Sequence, residues 1–188
     1  NFSSTNFFID EAFIDFIKNG EDLSFKHFES DRVIIIRAFT KFFGIPGLRL
    51  GYSICYNKKW VSTANNLKEP WTINTFAASC GEILLNSNKY IEKTYKTLEK
   101  EKNRMLNGLK KIENIQVFKS ESNFLLIKLM EISGTELYNK LLEKGFLIRR
   151  CENFNFLDDS YVRIAIKDKK SNKNFIKAIN KITKNRNV

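Results

Sequence analysis

Histidine, proline and cysteine are scarce in this chain, and the scarcity excludes whole kinds of chemistry. The sequence has one histidine, His27, and two prolines among 188 residues. A single histidine excludes a multi-histidine metal site and argues against histidine-based hydrolysis. Cys55, Cys80 and Cys151 lie far apart without paired spacing, which favours reduced thiols over a zinc site or a disulfide framework. Any chemistry must therefore use lysine, arginine, aspartate or a bound cofactor.

Long apolar runs are also missing. No stretch approaches the length of a membrane span, and the sequence does not open with the pattern of a signal peptide. We therefore expect a cytoplasmic protein without a membrane partner. An apolar content of 43% with 17 phenylalanines predicts a globular fold, because disordered chains are poor in aromatic residues. The length allows one sizeable domain or two small ones.

The net charge of +11 raises the question of a nucleic-acid partner. However, basic residues alternate with acidic ones along presumed helix faces, as in IEKTYKTLEKEKNRMLNGLKK at residues 91–111. This mixture is typical of solvated helices. We therefore predict no nucleic-acid partner, and we assign the charge to the attraction of a small anionic substrate.

The first half of the sequence has the pattern of an α/β fold. Two short apolar runs, NFFIDEAF and DRVIIIRAF, predict buried parallel strands, and the residues between them supply the crossover that parallel strands need. LRLGYSICY predicts a third strand. Helices are predicted to follow at residues 59–68, 75–86 and 88–112, with Pro70 interrupting the pattern before the second.

The second half predicts a compact α+β unit, because its strands and helices come in mixed order. Strands are expected at residues 116–118, 124–130, 146–149 and 161–166, and helices at 135–144 and from Ser171 onward. We place a boundary near residue 88. Residues 1–88 are then part of one domain, and residues 89–188 form a smaller second domain.

The segment RAFTKFFGIPGLRLGY at residues 37–52 sets a single lysine in a specific frame. Together with IDEAF, EPWTIN, LIRRC and DDSYVRIAI, it resembles the fold type I pyridoxal-phosphate enzymes, in the branch with histidinol-phosphate aminotransferase and threonine-phosphate decarboxylase. The resemblance covers essentially the whole chain, as the C-terminal half of such an enzyme. It implies part of a large cofactor-binding domain with a mainly parallel sheet, then a small α+β domain, with pyridoxal 5′-phosphate as the cofactor.

The resemblance implies roles for four residues. Lys41 resembles the lysine that bonds covalently to the cofactor aldehyde, a task that needs an amine which can be deprotonated. Arg49 and Thr40 resemble the ligands of the cofactor phosphate. Asp10 resembles the aspartate that pairs with the pyridinium nitrogen. The open alternatives are an ordinary surface lysine and, for Asp10, a helix N-cap.

Two positions depart from the family pattern. Ala38 stands where the family usually has a hydroxyl residue, which leaves one phosphate contact open. Phe13 stands where aminotransferase relatives place a tyrosine that hydrogen-bonds the cofactor's phenolic oxygen. Phe13 favours the decarboxylase, as do Trp71 and Asn74 in EPWTIN. Core packing explains Trp71 equally well, and spacing gives Asn74 no role.

The resemblance also implies two substrate ligands in the second half. Arg163 resembles the arginine that holds the substrate carboxylate through two parallel hydrogen bonds, and Arg149 resembles the one that receives the substrate phosphate. Arginine in an apolar strand is costly to bury without an anion, which supports both roles. A structural ion pair is the alternative for each. We expect Arg150 to face solvent on the opposite side of the strand.

The resemblance therefore implies decarboxylation of threonine O-3-phosphate to aminopropanol phosphate, for cobalamin biosynthesis. It also implies a homodimer when the protein is full length. One alternative is histidinol-phosphate aminotransferase, which transfers an amino group to 2-oxoglutarate. Another is a basic binding module without a cofactor. The family's glycine-rich cofactor-phosphate loop has no match in this sequence. We therefore expect the chain as given to bind the cofactor weakly and to be inactive alone.

Overall fold

The computed structural model describes residues 4–184. The chain divides into two compact units, Asn1–Ile91 and Glu92–Val188. The first unit contains a three-stranded sheet and the second a four-stranded sheet. Within the described residues we find no helix with the length and apolar character of a membrane span.

The sheet of the first unit is mixed. Its strands are β1 (Phe7–Asp10), β2 (Val33–Ala38) and β3 (Gly51–Cys55), in the order β1-β2-β3. β1 and β2 are parallel, as the two apolar runs predict. β3 is antiparallel to β2. A period of two specifies a strand but not its direction, so the sequence pattern is the same for both pairings.

The prediction that both early strands are buried is wrong for β1. Phe8 in β1 is 69% exposed, and β1 lies at the edge of the sheet. β2 alternates instead: Val33 and Ile35 are buried, whereas Ile36 is exposed on the other face. The short apolar run in β1 therefore does not mark a strand that is covered on both faces within the described residues.

Four α-helices begin in the described part of the first unit. They are α1 (Phe39–Phe42), α2 (Lys58–Leu67), α3 (Thr75–Leu85) and α4 (Asn88–Leu109), and α4 continues into the second unit. The last three agree with prediction to within a few residues. The single turn α1 was not predicted, because four residues carry no helical periodicity.

The second unit is an α+β structure, as predicted. Its antiparallel strands are β4 (Ile115–Val117), β5 (Phe124–Leu129), β6 (Arg149–Arg150) and β7 (Tyr161–Ala165), in the order β4-β5-β7-β6. The helices α5 (Gly134–Leu142) and α6 (Lys169–Lys184) complete it with α4. Alternate residues of the strands join helix side chains in one core that includes Met105, Leu109, Leu125, Ile127, Leu137, Leu141, Val162, Ile164 and Ile179.

The predicted strand at residues 146–149 is wrong over most of its length. Only Arg149 and Arg150 pair with β7. The residues before them end α5: Gly145 has a φ of 77°, and the Phe146 N–H donates to the Leu141 carbonyl at 2.9 Å. A left-handed glycine with this backward hydrogen bond is a common helix ending, and it competes with strand pairing for the same backbone groups.

Candidate functional site

Four of the predicted site residues lie at one edge of the first sheet. β1 and β2 are parallel, so Asp10 and Ala38 end their strands at the same edge. α1, which carries Thr40 and Lys41, follows Ala38 directly. β3 is antiparallel and begins there, and Arg49 precedes it by two residues. The carboxyl edge of an open sheet is where α/β proteins commonly bind ligands.

The turn that carries Lys41 is anchored at both ends. The Phe39 N–H donates to the Leu50 carbonyl at 3.2 Å, which fixes the start of α1 against the chain leading into β3. The Tyr90 hydroxyl donates to the Phe42 carbonyl at 3.2 Å, which fixes its end. Phe39 and Leu50 are buried in the same apolar cluster. Lys41 itself is exposed, so its backbone is held while its amine stays accessible.

Aromatic rings line one side of the Lys41 side chain. The Lys41 Nζ lies 5.9 Å from the centre of the Phe13 ring. Phe13 stacks on Phe16, and Phe16 packs against Phe42 with ring centres 5.3 Å apart. The side chain at position 13 therefore offers the amine an apolar face and no hydrogen-bonding group.

Arg49 and Asp10 have few partners among the described residues. Arg49 adopts a left-handed backbone with a φ of 52°, and its Nη1 donates to the Pro46 carbonyl at 3.4 Å. In residues 4–184 no acidic side chain forms an ion pair with Arg49. The Asp10 Oδ1 accepts from the Ala12 N–H at 2.9 Å. The next helical element is a 3₁₀ turn at Ile14–Phe16, and Phe13 occupies its N-cap position without a side-chain hydrogen bond. The alternative of a helix N-cap is therefore wrong for Asp10.

Arg149 and Arg163 are direct cross-strand partners on one face of the second sheet. The Arg163 guanidinium stacks on the Phe124 ring at 4.7 Å, and the Arg149 Nη2 donates to the Asn153 Oδ1 at 2.9 Å. Neither has an acidic partner within the described part of the chain, so the alternative of a structural ion pair is wrong. Like charges opposite each other destabilise a sheet, and a bound anion would offset that cost.

Cys151 lies beside these two arginines. Its side chain is buried, and its Sγ contacts the Arg149 carbonyl. Burial raises the pKa of the Cys151 thiol, and the positive charges of Arg163 and Arg149 oppose that rise without outweighing it. A protonated thiol carries no charge, so Cys151 does not neutralise the arginine pair.

The expectation that Arg150 faces solvent holds only in part, since 39% of its side chain is exposed. Its Nη1 donates to the Thr135 Oγ1 at 2.8 Å, its Nη2 pairs with the Glu152 carboxylate at 3.0 Å, and its guanidinium stacks on the Tyr138 ring. The opposite face of β6 is covered by α5, so a side chain on that face meets protein. Arg150 therefore has structural partners that Arg149 lacks.

Trp71 and Asn74, the two residues singled out in EPWTIN, lie in different environments. Trp71 is 95% exposed, so the alternative of core packing is wrong within the described structure. Asn74 has a clear structural role. Its Oδ1 accepts from the Ala77 N–H at 2.9 Å and caps α3, while its Nδ2 donates to the Leu48 carbonyl at 3.2 Å. Asn74 thus ties α3 to the turn that leads into Arg49.

Sequence reasoning missed Arg37 and Glu11, which form a buried ion pair directly behind this edge of the sheet. The signal was present, since an arginine inside the β-branched run VIIIRA needs a buried anion. Its partner, Glu11, follows Asp10 in IDEAF. The 26 residues that separate the two in sequence concealed the pairing.

Comparisons with known proteins agree on one family. Residues 4–179 match the model of the family described as aminotransferase class I and II. A protein of Caldanaerobacter subterraneus subsp. tengcongensis, provisionally named threonine-phosphate decarboxylase, is 39% identical over 91% of this chain and 47% of its own length. Histidinol-phosphate aminotransferase of Methanocaldococcus jannaschii is 33% identical over 93% of this chain and 46% of its own length. The chain spans about half the length of the curated relatives it matches.

A solved structure supports the same fold. Histidinol-phosphate aminotransferase from Clostridium acetobutylicum has a TM-score of 0.89 and 40% identity, over 96% of this chain and 55% of that one. The similarity extends over nearly the whole chain, so both units follow the fold of that protein.

Proposed function

Because the chain belongs to the aminotransferase class I and II family, we propose that it is part of an enzyme that decarboxylates threonine O-3-phosphate to aminopropanol phosphate, a product for cobalamin biosynthesis. Pyridoxal 5′-phosphate is the cofactor of this family. When bound, it stabilises negative charge at the substrate Cα, and this is the chemistry that the side chains alone lack. The observation that carries the proposal is the collection of Asp10, Lys41 and Arg49 at one sheet edge.

The donor set at that edge fits this cofactor. Lys41 would supply the primary amine that bonds covalently to the cofactor aldehyde. An arginine could not form this bond, because its guanidinium stays protonated. Arg49 supplies a planar fork of donors for phosphate oxygens, and Thr40 adds a hydroxyl. Asp10 supplies a carboxylate for the protonated ring nitrogen. Within residues 4–184 no acidic side chain pairs with Arg49, which supports this role because a guanidinium already paired with a carboxylate has fewer donors to offer.

In the proposed reaction the two arginines of the second unit orient the substrate. Arg163 would hold the α-carboxylate and Arg149 the phosphate. Fixing both groups would set the orientation of the bonds at the substrate Cα, and therefore which of them breaks. The Lys41 amine would hold or deliver the proton at the substrate Cα. The cross-strand position of the arginines supports the role, since an anion would relieve their mutual repulsion.

Phe13 supports decarboxylation over transamination. Its ring lies beside the Lys41 amine and carries no hydroxyl. It therefore cannot supply the hydrogen bond that aminotransferase relatives make to the cofactor's phenolic oxygen. A second candidate is histidinol-phosphate aminotransferase, which is favoured by the similarity to the solved Clostridium acetobutylicum protein.

We further propose that the full-length protein is a cytoplasmic homodimer that acts on a small phosphorylated amino acid. Residues 1–88 would be part of its large cofactor domain, and residues 89–188 its small domain. The length of the relatives supports a larger whole, because this chain accounts for about half of each. Sedimentation of the full-length protein tests the dimer.

A product assay tests the function. The full-length protein with pyridoxal 5′-phosphate should release CO2 from threonine O-3-phosphate, and Lys41→Ala should abolish the release. Lys59→Ala, which removes another exposed lysine of the first unit, serves as the matched control. Glutamate formed from histidinol phosphate and 2-oxoglutarate would establish the aminotransferase instead. Absence of any Lys41-dependent visible absorbance would favour the basic binding module.

A further inference from the structure

Arg37 is a buried arginine whose guanidinium contacts four side chains within residues 11–24. It lies in β2 and is 2% exposed. Its Nε donates to the Glu11 Oε2 at 2.9 Å, its Nη1 to the Glu21 Oε1 at 2.6 Å, and its Nη2 to the Ser24 Oγ at 2.8 Å. The Nη1 also approaches the Asp15 Oδ1 at 3.5 Å. Arg37 therefore fastens the end of β1 and the crossover to the end of β2.

Glu11 completes the arrangement. It is 6% exposed, and both of its carboxylate oxygens accept hydrogen bonds: Oε2 from the Ser24 hydroxyl and Oε1 from the Phe25 N–H, each at 2.8 Å. Its own N–H donates to the Ile36 carbonyl at 2.9 Å, which extends the pairing of β1 with β2. Among the described residues, no buried side-chain nitrogen or oxygen lacks a partner. The network is therefore fully satisfied.

The network lies behind the candidate cofactor residues. Side chains alternate between the faces of a strand, so Glu11 and Arg37 share one face while Asp10 and Ala38 belong to the other. Asp10 is the neighbour of Glu11 in the chain, and Lys41 follows Arg37 by four residues. The ion pair thus lies next to Asp10 and near the end of the strand that leads into the turn carrying Lys41.

Stability alone does not explain a buried pair at this place. An apolar pair of similar volume is often as stable as a buried ion pair or more stable, because both charges must lose their hydration. What apolar side chains cannot supply is direction: the guanidinium fixes Glu11, Glu21 and Ser24 at set angles. The benefit of the charged pair is then geometric precision at the sheet edge in front of it.

We propose that Arg37 and Glu11 are positioning residues that hold Asp10 and Lys41 in the geometry that binds pyridoxal 5′-phosphate. This inference rests on the proposed function. Neither side chain contacts the cofactor in this account. Their effect passes through the backbone of β1 and of the β2 end, where a displacement of about 1 Å can cost up to roughly a hundredfold in a reaction that depends on alignment.

The test replaces both charges together. In the full-length protein, Arg37→Met with Glu11→Leu removes both charges of the buried pair together. Asp15, which also approaches Arg37, keeps partial access to water because its side chain is 31% exposed. Glu21 keeps access to water, since its side chain is 53% exposed. The control is Lys140→Met with Glu136→Leu, which removes a surface pair of the same kind in α5. Each protein is titrated with pyridoxal 5′-phosphate and reduced with borohydride, and the labelled lysines are mapped by mass spectrometry.

We expect the Arg37/Glu11 double variant to stay folded with a lowered thermal midpoint, because the Ser24 hydroxyl and the Phe25 N–H lose their acceptor on Glu11. It should bind the cofactor roughly tenfold or more weakly and lose the selectivity of labelling for Lys41. The control double variant should label as wild type does. A double variant that labels Lys41 with wild-type affinity and selectivity overturns the positioning role alone. A wild-type protein that does not label Lys41 selectively overturns the proposed function as well. A double variant that loses its fold is also a negative result, because the pair would then act through stability.

Discussion

Replacing Asn172 with leucine should destabilise the second unit strongly and in a pH-dependent way. Asn172 lies in α6 and is 1% exposed. Its Nδ2 donates to the Glu101 Oε2 at 3.0 Å and to the Lys167 carbonyl at 2.7 Å, and its Oδ1 accepts from the Lys167 N–H at 2.9 Å. Glu101 is itself 3% exposed, so its charge depends on such donors.

The cost follows from the bonds that are lost. A hydrogen bond to a charged acceptor contributes about 1.5–3 kcal/mol, and each of the two bonds to the Lys167 backbone about 1 kcal/mol. Asn172→Leu should therefore lower the free energy of unfolding by roughly 3–5 kcal/mol. Asn174→Leu is the matched control in the same helix, because Asn174 is exposed and its loss should change stability by about 0.5 kcal/mol or less.

The pH dependence follows from Glu101. Burial opposes its ionisation, but the hydrogen bonds from Asn172 and Arg104 outweigh burial and lower the pKa of Glu101 below its usual value. A lowered pKa means that ionised Glu101 stabilises the fold above its unfolded-state pKa, and that this contribution is lost as pH falls through the folded-state pKa. Asn172→Leu removes one of the two donors. Acidification should therefore lower the free energy of unfolding less in the variant than in the wild type.

Urea unfolding at about pH 7 and about pH 4, followed by circular dichroism, measures the deficit of the variant. Hydrogen exchange of peptides from α6 assigns the transition to the second unit. The deficit should be smaller at the lower pH. A deficit no larger than that of Asn174→Leu, or one that widens in acid, would refute the reasoning.

Three further perturbations have defined outcomes. Gly134→Ala should destabilise the protein by about 1–3 kcal/mol, because a Cβ there would lie 2.7 Å from a backbone oxygen. Gly47→Ala is the control, because a Cβ at that position would meet no atom within 4 Å. Equal thermal midpoints for the two variants would contradict the close packing at Gly134. In the native protein, Cys151 should react with a disulfide reagent far more slowly than Cys55, since it is 2% exposed and burial raises its thiol pKa; equal rates would be inconsistent with that burial. Asn57→Ala should cost about 1 kcal/mol in urea unfolding, because its Oδ1 caps α2, and an unchanged midpoint would exclude the cap.

Local patterns predicted most of the elements, and long-range pairing produced the differences. α3 and α5 were predictable to within a few residues, because periodicity and capping residues act over one or two turns. The direction of β3 and the shortness of β6 depend on which backbone groups find partners far along the chain. The sequence pattern of a short segment does not show which distant backbone groups will pair with it.

The candidate site shows the same division. The frame around Lys41 predicted candidate residues from sequence, because the turn that carries them is local. The pairing of Arg149 with Arg163 is a matter of register, and a shift of one residue would place them on opposite faces. The ion pair of Arg37 with Glu11 joins two segments through a crossover, so neither segment alone indicates it.

The partners of the arginines separate those that stabilise the fold from those that remain available for a ligand. Arg37 is buried and surrounded by acidic side chains and a serine hydroxyl, as a charge without water must be. Arg49, Arg149 and Arg163 reach solvent and have no acidic partner within residues 4–184. Water hydrates such exposed cations. An incoming phosphate or carboxylate can replace that water without breaking an ion pair. Anionic ligands should therefore compete for the last three and leave the first untouched.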